Sequence, residues 1–362
     1  SSGAVIANLN TTAGSSGNAA GDVYIRIENL TGTSYDDILT GLTAGGSILT
    51  GGMGADQMFG SGVNNTINYI GSALGVTIDL HNGNAIGSAA GSEAFGDTFS
   101  GIQNVNGSTL ADIFYASLDA NRFTGNGGVD TVNYQYSNAG VTVNLNTGLG
   151  SFGFAAGDVY SGIQNAVGSS HNDTFVASNS ANFFNGAGGV DTVDYSASGT
   201  TAVTVDLFHG TGTNGYAAGD TYSSIENVIG SSVGDLFYAN SAANAFDGGS
   251  VAGDNNDTVS YRYSTTTPII ASLATGGTSG DANGDTYTRI ENLTGSENVD
   301  SSLTGDTANN ILTALGLTNT NILDGGAGND TLDGRLGGHN TLLGGSGADT
   351  FLVQATGGVL AN

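Results

Sequence analysis

Residues 107–132 read GSTLADIFYASLDANRFTGNGGVDTV. Two glycine-led turns lie in this stretch, GSTLAD from Gly107 and GNGGVD from Gly125, ending in Asp112 and Asp130, an interval of 18. Each turn runs into a short alternating apolar segment, the period-two pattern of a half-buried strand. The interval is two nine-residue steps, one full coil of a solenoid made from two short strands and two turns. Residues one coil apart then stack, so Asp112 and Asp130 share an edge. Between them ASLDAN, ending at Asn121, turns the opposite edge without a glycine-rich loop. The layout recurs at Gly168 and Gly186, with Asp173, Asn182 and Asp191, and at Gly230 and Gly248, with Asp235 and Asn244. The reading is one cation-binding edge and one neutral edge.

A longer period contains this coil. The phrase Gly-Asp-x-aromatic-x-x-Ile-(Glu/Gln)-Asn occurs five times, and its aspartates Asp22, Asp97, Asp158, Asp220 and Asp285 follow at intervals of 75, 61, 62 and 65. A β-branched strand keeps phase with it: VIANL from Val5, VTIDL from Val76, VTVNL from Val141, VTVDL from Val203 and IIASL from Ile269. The expected architecture is all-β, a right-handed parallel β-roll or β-helix solenoid of about five units of roughly 62 residues. Unit boundaries are expected at 1–75, 76–140, 141–202, 203–268 and 269–320, with a last set of turns over 321–362. The stretch between the β-branched strand and each Gly-Asp carries little pattern.

Composition narrows the function. The 362 residues include 62 Gly, 32 Asp and Glu, five Arg, no Lys and no Cys, for a net charge of -27. Phosphate neutralisation needs cations in number, so nucleic acid is excluded as a partner, and an anionic membrane would repel the chain. No apolar run reaches the length of a membrane span. Without Cys there are no disulfides or thiolate metal sites, and any staple is a hard cation held by oxygen. Regular alternation and 28 Phe plus Tyr argue against disorder.

GGAGNDTLD from Gly325, GGSGADTFL from Gly344 and GGMGADQMF from Gly51 resemble the RTX nonapeptide G-G-x-G-x-D-x-U-x of secreted Gram-negative proteins. The resemblance implies several calcium ions, each between neighbouring turns of one edge, bound by turn carbonyls and aspartates. Mapped onto this sequence, the candidate ligands are Gly51, Gly54 and Asp56 with Asp37; Asp112 with Asp130; Asp173 with Asp191; Asp235 with Asp254 or Asp257; Asp300; Gly325, Gly326, Gly328 and Asp330; and Gly344, Gly345, Gly347 and Asp349. GRLGGH from Gly334 puts His339 where the nonapeptide has Asp, an empty or weakened turn. For Asp22, Asp97, Asp158, Asp220 and Asp285, metal ligation stands beside the alternative of a turn aspartate bonded to nearby amides. Tyr69, Tyr134, Tyr195 and Tyr261 are expected to pack between coils, with a carbohydrate platform as the alternative.

No catalytic constellation emerges, and the chain is read as no enzyme. His81, His171, His209 and His339 share no phase, and the G-x-S-x-G at Ser232 is one copy of a repeated turn rather than a nucleophile elbow. GAVIANL at the start and GGVLAN at the end occupy the same phase, as in a window on a longer array. The expected function is a secreted structural protein that folds on extracellular calcium and forms or stiffens a surface layer, fibril or matrix. Alternatives are the extender of a large adhesin or the tail of a secreted enzyme. Expected partners are further copies or repeats, with a cell-surface polysaccharide as a further candidate.

Overall fold

The computed structural model describes residues 3–11, 13–86, 91–249 and 256–354. The chain forms two compact units, one of residues 1–175 with 183–189 and one of residues 176–182 with 190–362. Among the described residues there is no α-helix, only strands and five single 3₁₀ turns, and thus no helix long enough to cross a membrane. The chain is a β-roll solenoid.

Most strands are three residues long with the central side chain buried and its neighbours facing out. Three residues is all that the nonapeptide leaves once six form the turn, so one apolar residue per step makes the core. In the first unit, Ile38–Thr40, Gln57–Phe59 and Thr98–Ser100 pair in parallel register, stacking Leu39, Met58 and Phe99. The facing sheet carries Ile48–Thr50, Thr66–Asn68, Asn104–Asn106, Arg122–Thr124 and Val159–Ser161, stacking Leu49, Ile67, Val105, Phe123 and Tyr160. Strands from the two sheets meet through their rings: Phe114 of Ile113–Tyr115 stacks on Phe123 with centroids 5.5 Å apart. In the second unit Thr204–Asp206 begins a parallel stack through Leu236–Tyr238, Thr258–Ser260, Asn292–Thr294, Ile311–Thr313, Thr331–Asp333 and Thr350–Leu352. There Phe237 stacks on Phe246 at 5.8 Å.

The poorly patterned stretch of each repeat forms one antiparallel strand. In the first unit Asn84–Ala85 lies between Thr77–Asp79 and Thr98–Ser100, and Leu149–Ser151 lies between Thr142–Asn144 and Val159–Ser161. In the second, Thr211–Thr213 lies between Thr204–Asp206 and Thr221–Ser223. A repeat thus places three consecutive strands in one sheet before alternation resumes. That odd insertion switches the sheet on which the next repeat begins: Thr77–Asp79 and Thr142–Asn144 head different sheets of the first unit.

Because the core is one side chain deep, each inward ring is irreplaceable by its neighbours. Phe237→Ala is expected to cost about 3–5 kcal/mol, read by denaturant unfolding in calcium. A change within the ~0.5 kcal/mol of a surface substitution would contradict this core.

Candidate calcium turns

Stacked aspartate turns are tied to one another by a carboxylate. The Asp37 amide donates to Asp56 Oδ1 at 2.8 Å, Asp112 to Asp130 at 2.8 Å, Asp235 to Asp257 at 2.7 Å and Asp330 to Asp349 at 3.1 Å. These four pairs therefore sit on directly stacked turns. In the first unit Asp173 Oδ1 accepts from the Val141 amide at 2.7 Å, and in the second the Asp191 amide donates to Glu226 Oε2 at 2.8 Å. Asp254 lies outside the described residues.

The second carboxylate oxygen divides the turns into two kinds. In the Gly-Ser or Gly-Thr turns it is bound by the turn itself. Asp112 Oδ2 accepts from the Ser108 amide at 2.7 Å, Asp173 Oδ2 from Ser169 at 2.6 Å and Asp235 Oδ2 from Ser231 at 2.6 Å, while Asp37 Oδ2 accepts from the Thr33 amide. The Ser hydroxyls add a further bond to the same carboxylates. In the other kind, Oδ2 of Asp56, Asp130, Asp257 and Asp330 is buried with no hydrogen-bond partner. The cause is the second turn residue. Gly52, Asn126, Gly249 and Gly326 have φ of +101°, +67°, +86° and +89°. This left-handed backbone turns the amide away from the aspartate. Thr33, Ser108, Ser169 and Ser231 are not left-handed, and their amides close on the carboxylate.

An unpaired buried carboxylate oxygen is costly, and its surroundings fit a hard cation. A Cβ built on Gly125 would lie 2.0 Å from Asp130 Oδ2 and 2.5 Å from the Gly162 carbonyl oxygen; on Gly248, 2.3 Å from Asp257 Oδ2 and 2.1 Å from the Arg289 carbonyl; on Gly325, 2.4 Å from Asp330 Oδ2 and 2.7 Å from the Gly344 carbonyl. The lone oxygens of Asp130, Asp257 and Asp330 thus each have a carbonyl of a neighbouring coil beside them, in space that glycine leaves open. Among the described residues no three Asp, Glu or His side chains converge, so such a site is completed by carbonyls, a donor set that suits calcium. Burial pushes Asp130 up to about 6, against the hydrogen bond from the Asp112 amide. Burial also pushes Asp257 up to about 8, against the hydrogen bond from the Asp235 amide and with the charges of Asp235, Glu291 and Asp247 adding. A divalent cation would reverse both.

The structure revises three expectations. Asp300 is exposed and its carboxylate accepts from the Thr320 amide at 2.7 Å. Its turn is one residue longer than its siblings, and Ser301 takes the inward place, bonded to Asn321. At the GRLGGH turn Asn340 occupies that place and His339 is exposed, for the same reason. The cation edge is not single. In the first unit Asp112 and Asp130 lead into one sheet and Asp173 into the other, and in the second Asp191 and Asp257 likewise lead into different sheets. Within each coil the reading holds, since Asn121 faces its own turn as a neutral copy, accepting from the Ser117 amide at 2.9 Å.

The Gly-Asp aspartates have a tyrosine partner. Tyr69 donates to Asp97 at 2.8 Å, and Tyr134, Tyr195 and Tyr261 donate to Asp158, Asp220 and Asp285 at 2.6 Å each. A second hydroxyl, of Tyr160, Tyr222 or Tyr287, contacts the first in the last three. The other carboxylate oxygen accepts from the amide one coil earlier, as Asp158 does from Asn121 at 2.7 Å. These carboxylates are sealed within the protein instead of facing a turn, whereas Asp22 is exposed. No motif joins such an Asp to its Tyr across the intervening chain. The signal that could have is their nearly constant offset, 28, 24, 25 and 24 in four repeats.

Burial pushes Asp158 and Asp285 up to about 7 and Asp220 to about 6, against the opposing tyrosine hydrogen bonds. The unfolded value is about 3.9, so between these limits the folded state holds more protons. Their contribution to stability is complete below about pH 4 and is lost as pH rises through about 6 to 7. With calcium saturating, thermal unfolding should therefore move to higher temperature as pH falls from about 8 to about 5. A melting temperature that falls over this range would refute the assignment.

A family model for the RTX calcium-binding nonapeptide repeat (four copies) matches residues 31–67, 99–134, 167–197, 304–337 and 315–351. No curated protein matches the chain. The turns of Asp235 and Asp257 lie outside the matched stretches but have the same stacked geometry. Since the matched stretches contain the aspartate turns described above, the chain carries RTX calcium-binding nonapeptide repeats.

Proposed function

We propose that this chain is a secreted structural repeat protein that folds on extracellular calcium and forms or stiffens a surface layer, fibril or matrix, with no catalytic role of its own. The observation that carries this reading is the set of buried, unpartnered carboxylate oxygens in the turns of Asp56, Asp130, Asp257 and Asp330. A chain of net charge -27 resists compaction until such rows are neutralised. Extracellular calcium modules bind at about 0.1–1 mM, which leaves such sites empty in a cell and filled outside it. Each filled site adds about 1–3 kcal/mol, so several together rival a whole domain's stability. The stacking of short coils within each unit supports a spacer or lattice element, which associates with further copies or repeats.

Sedimentation velocity in about 2 mM calcium, and again in chelator with magnesium, tests the reading. The expected result is an expanded species that becomes compact with calcium, with polymers marking a layer or fibril over a spacer. A compact monomer unchanged by chelation would overturn it. Ion counting refines the test: Asp130→Asn and Asp257→Asn should each lower the bound calcium by about one ion, whereas Asp112→Asn, whose carboxylate its own turn satisfies, should leave the count unchanged.

A further inference from the structure

In three of the five Gly-Asp phrases the Glu or Gln before the final Asn lies against an aspartate turn, whereas Gln103 of the second phrase accepts from the Asn65 amide at 3.0 Å. In the first unit the Asp130 amide donates to Gln164 Oε1 at 2.8 Å. In the second, the Asp191 amide donates to Glu226 Oε2 at 2.8 Å and the Asp257 amide to Glu291 Oε2 at 3.0 Å. The backbone is the same in all three, since the amides of Gln164, Glu226 and Glu291 donate back to the carbonyls of Asp130, Asp191 and Asp257 at 3.1, 3.1 and 3.2 Å. At this position the oxygen is that of an amide in one place and of a carboxylate in the others.

That change falls beside the buried, unpartnered oxygens. Asp130 and Asp257 are each completely shielded from solvent, and each has Oδ2 without a partner. Each is stacked on another aspartate, Asp112 or Asp235. Glu291 therefore places a negative charge beside Asp257 that Gln164 does not place beside Asp130. Affinity of calcium sites follows the charge of their ligands and surroundings.

Resting on the calcium reading above, we infer that the Glu or Gln of the Ile-(Glu/Gln)-Asn phrase sets the calcium affinity of the turn it backs. The chain then loads calcium in at least two steps, the Glu291-backed turn of Asp257 filling at lower calcium than the Gln164-backed turn of Asp130. The Glu226-backed turn of Asp191 belongs with the tighter class. An array can in this way be tuned across the calcium range of its surroundings without altering a ligand or a strand.

The test is calcium titration of the full chain by calorimetry, for wild type, Glu291→Gln and Gln164→Glu. Wild type should titrate in two phases. Glu291→Gln should move part of the tight phase to about tenfold higher calcium, and Gln164→Glu should move part of the weak phase about tenfold lower. The second variant gains affinity, which damage to the fold cannot imitate. Both shifts should shrink in about 0.5 M salt, as charge effects do. Variants that titrate like wild type overturn this inference and leave calcium binding standing; a chain that binds no calcium in any form overturns both.

Discussion

A carboxylate enclosed by protein needs a partner for each of its two oxygens, and this requirement organises the molecule. Along the stacked turns one oxygen is satisfied in the same way, by the backbone amide of the preceding coil, from Val5 on Asp37 to Asp330 on Asp349. That ladder fixes the register between coils as firmly as the strands do. The other oxygen is where repeats diverge. A serine or threonine second in the turn closes on it, a tyrosine from the core reaches it, or a left-handed residue leaves it without a protein partner. Structural latch, buried polar link and unpartnered oxygen are three outcomes of one deficit.

Much of this was legible in the sequence because the signals were periodic. The interval between Asp112 and Asp130 specified the coil, and the alternation in VTVNL specified strands one residue deep. The stretches read as patternless hid a strand because Leu149–Ser151 and Thr211–Thr213 are rich in Gly, Ser and Thr and bury little. Asp300 misled because a Gly-to-Asp interval of five was matched across repeats, while the turn itself had gained one residue and passed the inward position to Ser301. The difference between the two kinds of turn stood in the sequence all along, as Ser or Thr against Gly or Asn at the second position. Only backbone geometry gave that letter its meaning.

The tyrosine links show the limit of reading spacing alone. Tyr134 ends a strand of one sheet, and Asp158 opens the phrase that closes an older stack. Their meeting depends on the inserted antiparallel strand, which brings Tyr160 back alongside Gly150, where any side chain would strike the tyrosine oxygen. In the second repeat Phe99 replaces that second tyrosine, and Tyr69 alone serves Asp97. The link therefore tolerates loss of one hydroxyl but keeps the carboxylate covered.

The odd strand inserted in each repeat also constrains how such a gene can change in copy number. Gaining or losing a single repeat reverses which sheet the following aspartate rows adjoin, while a change of two restores it. The first interval, from Asp22 to Asp97, is longer than those after it; it adds one further turn and strand and so shifts the phase of everything that follows. Where one side of the roll must meet a fixed neighbour, unequal recombination would be tolerated by twos, or by ones accompanied by a compensating half-coil.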